Sequence, residues 1–302
     1  MAQKPRLCLM AVHAHPDDEV VSTGGTLARY AHEGIETVLV CATRGEEGEI
    51  HDPDLDPAEA QPRLADIRTQ ELRCAQQALG ISAVEFLDYR DSGMAGTPPN
   101  EHADCLHQAD LTEATTRLVR LIRRYRPDVL TTYNAFGSYG HPDHKKVHHV
   151  THAAFERAGD PTFADGTDQP PWQPKKLYET ETTIEEIELW RAGAERRAEE
   201  KRKESGGGAE PEQTWWNEEF FQEMKRNSRR LADITTSIEV VAYRDQQRAA
   251  FRCHRTQFAH EGDFFEEAQS APPELANFER FTRARTLVDA PDREDDLFAG
   301  LR

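Results

Sequence analysis

The sequence predicts an α/β fold, a mostly parallel β-sheet flanked by helices. Short continuous apolar runs such as LCLMAV (7–12) and TVLVCA (37–42) read as strands covered on both faces. Segments with helical apolar spacing alternate with such runs over residues 7–133, the rhythm of right-handed β-α-β crossovers. A chain of 302 residues is also long enough to bury a large core.

Residues 7–12 form the first strand. Residues 22–32 follow as a helix with Leu27, Tyr30 and Ala31 on its apolar side, stopped by Gly34. Residues 37–42 are the second strand. Residues 62–79 make a helix closed by Gly80, and 83–87 the third strand. Residues 111–125 are a helix N-capped by Asp110, and 128–133 (DVLTTY) the fourth strand. A Rossmann-like sheet of this kind opens its binding sites beyond the C-terminal strand ends.

After the fourth strand the pattern changes. Residues 185–203 are a long, charged helical stretch with a solvated face, running into a flexible loop at 205–211. Trp215, Trp216, Phe220 and Phe221 then open another helix, as apolar core rather than as a substrate entrance. Residues 160–231 are expected to form a helical elaboration or lid within one domain spanning 1–302. Residues 234–240 read as a strand and 242–255 as a helix; the tail from Pro272 carries no signal.

Acidic residues outnumber basic ones, 55 to 37, for a net charge of -18. That balance argues against a sequence-blind grip on nucleic acid or an anionic membrane. No apolar run approaches the length of about 18 residues that a membrane span needs. The N-terminus has too short an apolar stretch, and no cleavage site, for a signal peptide. Five cysteines (8, 41, 74, 105, 253) are scattered, odd in number and without a CxxC. They read as reduced, mostly buried thiols in a cytoplasmic protein.

The chemistry concentrates after two strands. His13-Ala14-His15-Pro16-Asp17-Asp18-Glu19 follows the first. Adjacent carboxylates beside histidines repel unless a cation sits there. In a turn leading into a helix, His15 and Asp18 converge on one point while Asp17 stays close but points elsewhere. The motif thus offers two metal ligands and a spare base. Tyr139-Gly140-His141-Pro142-Asp143-His144 follows the fourth strand and adds a third ligand and another proton-transfer group. Three N/O ligands with an open position describe a catalytic zinc, and the same donors suit Fe²⁺, Mn²⁺ or Co²⁺. His144 and His148 form an HxxxH pair, but Lys145 stands where a zincin carries Glu, so His148, His149 and His152 read as surface or packing residues. No GxGxxG, GxxxxGK[ST] or GxSxG is present to support nucleotide binding or serine hydrolysis.

The pair AHPDDE and GHPDH resembles the LmbE/PIG-L superfamily of metal-dependent de-N-acetylases. TRGEEGEI (43–50), Arg68 within IRTQEL, YRDSGM (89–94) and HRTQ (254–257) look like its mycothiol deacetylase and mycothiol-conjugate amidase branch. The resemblance implies zinc held by His15, Asp18 and His144, with Fe²⁺ as an alternative. It implies Asp17 as general base, His141 as acid or oxyanion stabiliser, Tyr139 assisting the intermediate and Asp143 orienting His141. Arg68 and Asp91 would contact sugar or polyol hydroxyls, and His13, Glu47, Met94, Asn134 and Gln257 would be pocket residues. The expected reaction is hydrolysis of the amide of an N-acyl amino-sugar small molecule. A deacetylase tailoring a secondary metabolite is the alternative within that class. A non-catalytic metal- or sugar-binding module is the alternative outside it, and assembly into homo-oligomers is left open.

Overall fold

The computed structural model describes residues 6–204, 217–258 and 271–302. The glycine-rich loop and Trp215 and Trp216 lie outside them. Strand β1 (Cys8–His13) is buried along its length, and its alternate residues face two helix layers. Met10 and Val12 pack into one apolar cluster, Leu9 and Ala11 into the other. β1 pairs in parallel with β2 (Glu36–Cys41) on one side and β4 (Val129–Tyr133) on the other. β3 (Ala83–Phe86) adds beyond β2, and β5 (Lys176–Glu181) beyond β4, both parallel. β7 (Phe278–Thr286) and β6 (Thr236–Glu239) complete the order β3-β2-β1-β4-β5-β7-β6, β7 running antiparallel to both β5 and β6. The chain therefore leaves β1 in one direction and β4 in the other. That is a topological switch point, and the two HPD motifs meet there.

Helices follow the strands. α1 (Asp18–Ser22) and α2 (Gly24–His32) replace the single predicted helix, with Thr23 between them. α3 (Pro57–Ala60) precedes α4 (Leu64–Leu79), which ends at Gly80 with φ +72°, a conformation that favours glycine. α5 (Leu111–Tyr125) starts where Asp110 accepts from Glu113 N–H at 2.9 Å. Leu118, Val119 and Ile122 seat it beside α6 (Pro142–Ala158) on one face of the sheet. Burying each such side chain contributes about 1.5–3 kcal/mol relative to exposure. The span 160–231 is not all helical elaboration, because β5 within it belongs to the sheet; α7 (Ile184–Glu204) and α8 (Glu218–Asn227) follow β5, with Ile187, Phe221 and Met224 buried and Phe136 and Tyr139 packed against them. α9 (Arg244–Cys253) lies against α2 and α4.

Two strands escaped the sequence reading. β5 (KLYETE) and β7 (FERFTRART) are too charged to read as core, yet Lys176 is fully buried on Glu294 at 2.5 Å. On β7, Glu279 accepts from Gly25 and Thr26 N–H at 2.8 Å each and so caps α2. The cysteine expectation also needs correction. Cys74 on α4 and Cys253 at the end of α9 form a disulfide across 179 residues, with Cα atoms 5.6 Å apart. Only the packing of α4 on α9 reveals that pair. Cys8, Cys41 and Cys105 are buried thiols, as expected. Among the described residues no helix is long and apolar enough to cross a membrane.

Candidate active site

β1 ends at His13, and the chain turns through His15-Pro16-Asp17 into α1. Asp18 Oδ2 accepts from His15 N–H at 2.8 Å, which closes the turn. β4 ends at Tyr133, and a loop leads to α6, whose N-cap is His141 and whose N1 residue is Pro142. One helical turn places His144 opposite His15. His144 Nε2 lies 3.3 Å from His15 Nδ1 and 3.3 Å from Asp18 Oδ1, and His15 Nδ1 lies 3.4 Å from Asp18 Oδ2. A tetrahedral ion with bonds of about 2.0–2.1 Å needs donors about 3.3–3.4 Å apart. The spacing and chemistry of these donors therefore fit a divalent cation. His141 brings a ring nitrogen within 4.8 Å of the same imidazoles, a looser set.

The other face of His15 is built from carboxylates. Its Nε2 lies 3.3 Å from Asp143 Oδ2 and 3.5 Å from Asp91 Oδ1. Both acids are fastened in turn: Asp143 by Ser92 N–H at 3.0 Å and by the Ser92 hydroxyl, Asp91 by Gly93 N–H at 2.8 Å and Glu47 N–H at 3.2 Å. This is how a ligand imidazole is oriented from behind. Asp143 thus reaches His15 with its side chain; His141 meets only its backbone N–H, which donates to His141 Nδ1 at 3.1 Å. Asp91, 3% exposed, stands behind His15 instead of facing open space.

Arg68 is equally occupied. It is 3% exposed, donates to the Gly45 and Pro16 carbonyls and pairs with Asp17 Oδ2 at 3.0 Å. A Cβ on Gly45, whose φ is +68°, would strike the guanidinium, so that loop needs glycine to cross Arg68. Of the expected pocket residues, Met94 is exposed, and Glu47 and Gln257 are half-buried, paired with Arg90 and with the Glu49 carbonyl. His13 bonds the Thr23 hydroxyl at 3.0 Å, and Asn134 bonds Glu181 at 3.1 Å; both are buried. Tyr139 sits at the edge of the cluster, its ring 5.0 Å from His144 and 6.0 Å from His141.

Burial opposes charge at Asp18, yet His144 and His15 outweigh it and hold the carboxyl well below its usual range. Burial likewise opposes protonation of His15, and Asp91, Asp143 and Asp18 more than reverse it. Asp17 is pushed up to about 6 by burial, against the pull of Arg68. Burial, with His15 and His144 beside it, drives His141 down to about 2. The cluster carries an excess of negative charge that a divalent cation offsets.

Residues 10–155 match the family model of the GlcNAc-PI de-N-acetylase, PIG-L. The chain is 41% identical over 307 residues to a 1D-myo-inositol 2-acetamido-2-deoxy-alpha-D-glucopyranoside deacetylase 2 of Frankia alni, covering 97% of this chain and 99% of the relative. It is 37% identical to the corresponding deacetylase of Thermomonospora curvata, covering 97% and 96%. The chain belongs to the PIG-L de-N-acetylase family. Its fold matches solved structures at much lower identity. The N,N'-diacetylchitobiose deacetylase of Pyrococcus horikoshii has a TM-score of 0.59 at 18% identity, over 91% of this chain and 83% of that one. The 4-carboxy-2-hydroxymuconate hydratase of Pseudomonas putida has 0.61 at 19%, over 94% and 99%. A hydratase and a deacetylase on one scaffold leave the reaction to the site, not the fold.

Four contributors to this PIG-L site were not assigned from sequence. Tyr133 and Ser92 fasten Asp18 and Asp143. Glu19 and His254 stand behind Asp17: Glu19 Oε2 accepts from Asp17 N–H at 2.9 Å, and Glu19 Oε1 meets His254 Nε2 at 2.6 Å. The signal for the latter two was present, since one ends the HPDDE run and the other opens HRTQ. Neither motif says that they touch.

Proposed function

We propose that this chain is a zinc-dependent N-deacetylase that hydrolyses the acetamide of a small N-acetylglucosaminyl-inositol-type glycoside, releasing acetate and the free amine. The observation that carries this reading is Asp17. It lies next to the three donors yet is not one of them, its amide held by Glu19 at 2.9 Å and its carboxylate by Arg68 at 3.0 Å, the placement of a base beside the ion. A site that only bound a metal would have no use for it. The full-length identity to relatives named for this reaction supports the substrate class.

His15, Asp18 and His144 would hold the ion. When bound it supplies Lewis acidity, polarising the amide carbonyl and acidifying water. Asp17 takes the proton of the attacking water as the new C–O bond forms. Because His141 Nδ1 accepts from Asp143 N–H, its proton lies on Nε2, and the neutral ring donates that hydrogen bond to the developing oxyanion. Burial keeps the Tyr139 phenol protonated, so it serves as a second donor. Asp17 then returns its proton to the leaving nitrogen as the C–N bond breaks. Asp91 and Asp143 hold His15, Arg68 holds Asp17, and contact of Glu47, Met94 and Gln257 with the sugar is part of the proposal. A neutral polyol suits a protein of charge -18 better than an anion does.

The test is acetate and amine release from N-acetylglucosaminyl-inositol and a panel of N-acyl glucosaminides, with and without chelator. Turnover of the inositol compound that chelation abolishes is expected. A metal-loaded protein that releases no acid from any of them overturns the reading.

A further inference from the structure

Asp17 has φ +115° and ψ -27°, a strained backbone conformation that a non-glycine residue keeps only where its surroundings enforce it. The enforcing contact is the Glu19 carboxylate, which accepts from the Asp17 amide at 2.9 Å. Glu19 is fully buried, and its other oxygen meets His254, also fully buried, at 2.6 Å. His254 is pinned from several sides. Its neighbour Cys253 is bonded to Cys74 on α4. Thr256 donates its N–H and hydroxyl to Glu71, also on α4, at 2.7 and 2.6 Å. Gln247 on α9 donates to the Val20 carbonyl on α1 at 2.9 Å. Arg68, which holds the Asp17 side chain, lies on the same α4. The turn after α9 and the helix α4 thus grip Asp17 from both ends, amide and carboxylate.

We infer that Glu19 and His254 are positioning residues: a buried ion pair that locks the Asp17 backbone so that its carboxylate stays on the water to be deprotonated. The inference rests on the deacetylase reading, in which Asp17 is the base. Loss of either partner frees the Asp17 amide to relax toward ordinary φ and moves the carboxylate off line without touching the three metal donors. A misplacement of that kind costs about 10²-fold in rate.

The experiment measures kcat, KM and metal content for Glu19→Ala, Glu19→Gln and His254→Ala, each also in an Asp17→Asn background, with N-acetylglucosaminyl-inositol. Both alanine variants should keep one metal per chain and wild-type KM while kcat falls about 10²-fold. Glu19→Gln still offers the amide an oxygen and should recover most of the rate. In the Asp17→Asn background the alanine changes should add nothing, because they act only through that carboxylate; a general structural defect would add there too. Wild-type kcat in the alanine variants, or an equal further loss in that background, overturns the inference. Should the alanine variants not fold, His254→Asn carries the comparison, since its shorter side chain leaves Glu19 unheld, with Glu19→Gln as the variant expected near wild-type rate. Wild-type protein that turns nothing over would instead sink the deacetylase reading. The lock is then read by hydrogen exchange of the Asp17 amide, slow in wild type and faster in the variants; equal exchange overturns it.

Discussion

The Tyr133 hydroxyl sits between the Ala14 amide and the Asp18 carboxylate, 2.7 Å from each. It accepts from the first and donates to the second. Its ring also stacks on His144, centroids 4.1 Å apart and planes 11° from parallel. Burial pushes the phenol well above its usual range, so it remains a donor at any working pH. One side chain at the end of β4 therefore sets two of the three donors. Tyr133→Phe leaves the Ala14 N–H without that acceptor and frees Asp18. The loss should be about 1–3 kcal/mol of stability and about 10–100-fold in metal affinity. Urea unfolding and competition with a chelator measure the two. Unchanged metal affinity would show that Asp18 is placed by the His15–Asp18 turn alone.

Asp17 and His144 should separate cleanly. Asp17→Asn keeps all three donors, so metal content should stay at wild-type level while turnover drops about 10²–10⁴-fold. His144→Ala or His15→Ala removes a donor and should empty the site. Elemental analysis beside acetate release distinguishes the cases, and an Asp17→Asn protein with normal turnover would remove Asp17 from the role of base.

Asp143 tests the backing of His15. Asp143→Asn loses the charge 3.3 Å from His15 Nε2, and the ring loses an anchor. Metal affinity should fall about 10–100-fold while the fold survives. If the change instead altered catalysis at full metal occupancy, Asp143 would be acting on His141 through its backbone turn.

The parallel half of the fold was legible because β1, β2 and β4 are covered on both faces and so carry short apolar, β-branched-rich runs between helical segments. β5 and β7 were not, because their charged residues are buried in pairs, Lys176 on Glu294 and Arg280 on Glu186, and one chain segment cannot show its partner. His15, Asp18 and His144 could be named from sequence because two short motifs, each opening a helix, carry them, and the family resemblance singled out His144 within the second. Arg68 and Asp91 were expected to face the sugar. Their guanidinium and carboxylate are instead enclosed by the Gly45 loop and by His15, contacts that close only in three dimensions.

The disulfide predicts a redox-dependent stability. Cys74–Cys253 closes a loop of 179 residues, and such a cross-link stabilises by about 2–4 kcal/mol, mainly by restricting the unfolded chain. Cys253→Ser should lower the unfolding free energy by that amount, and reductant should lower wild type to the same level without affecting the variant. Thiol titration of the denatured protein should count three free thiols before reduction and five after, given the three unpaired cysteines. Five before reduction would mean that the pair is not formed in solution.

The ion pair behind the base should leave its mark on stability as a function of pH. Burial opposes the His254 imidazolium, but Glu19 outweighs it, so the folded value lies above the ordinary one. A raised histidine binds its proton more tightly in the folded protein, so the pair stabilises fully below the unfolded value of about 6.5 and loses that contribution as pH rises through the folded value. Unfolding free energies of wild type and His254→Gln should therefore differ most below about pH 6.5 and draw together as the pH rises through the folded value. A gap that does not shrink at any alkaline pH the fold tolerates would mean that His254 carries no charge in the folded protein and that Glu19 is held by a neutral hydrogen bond instead.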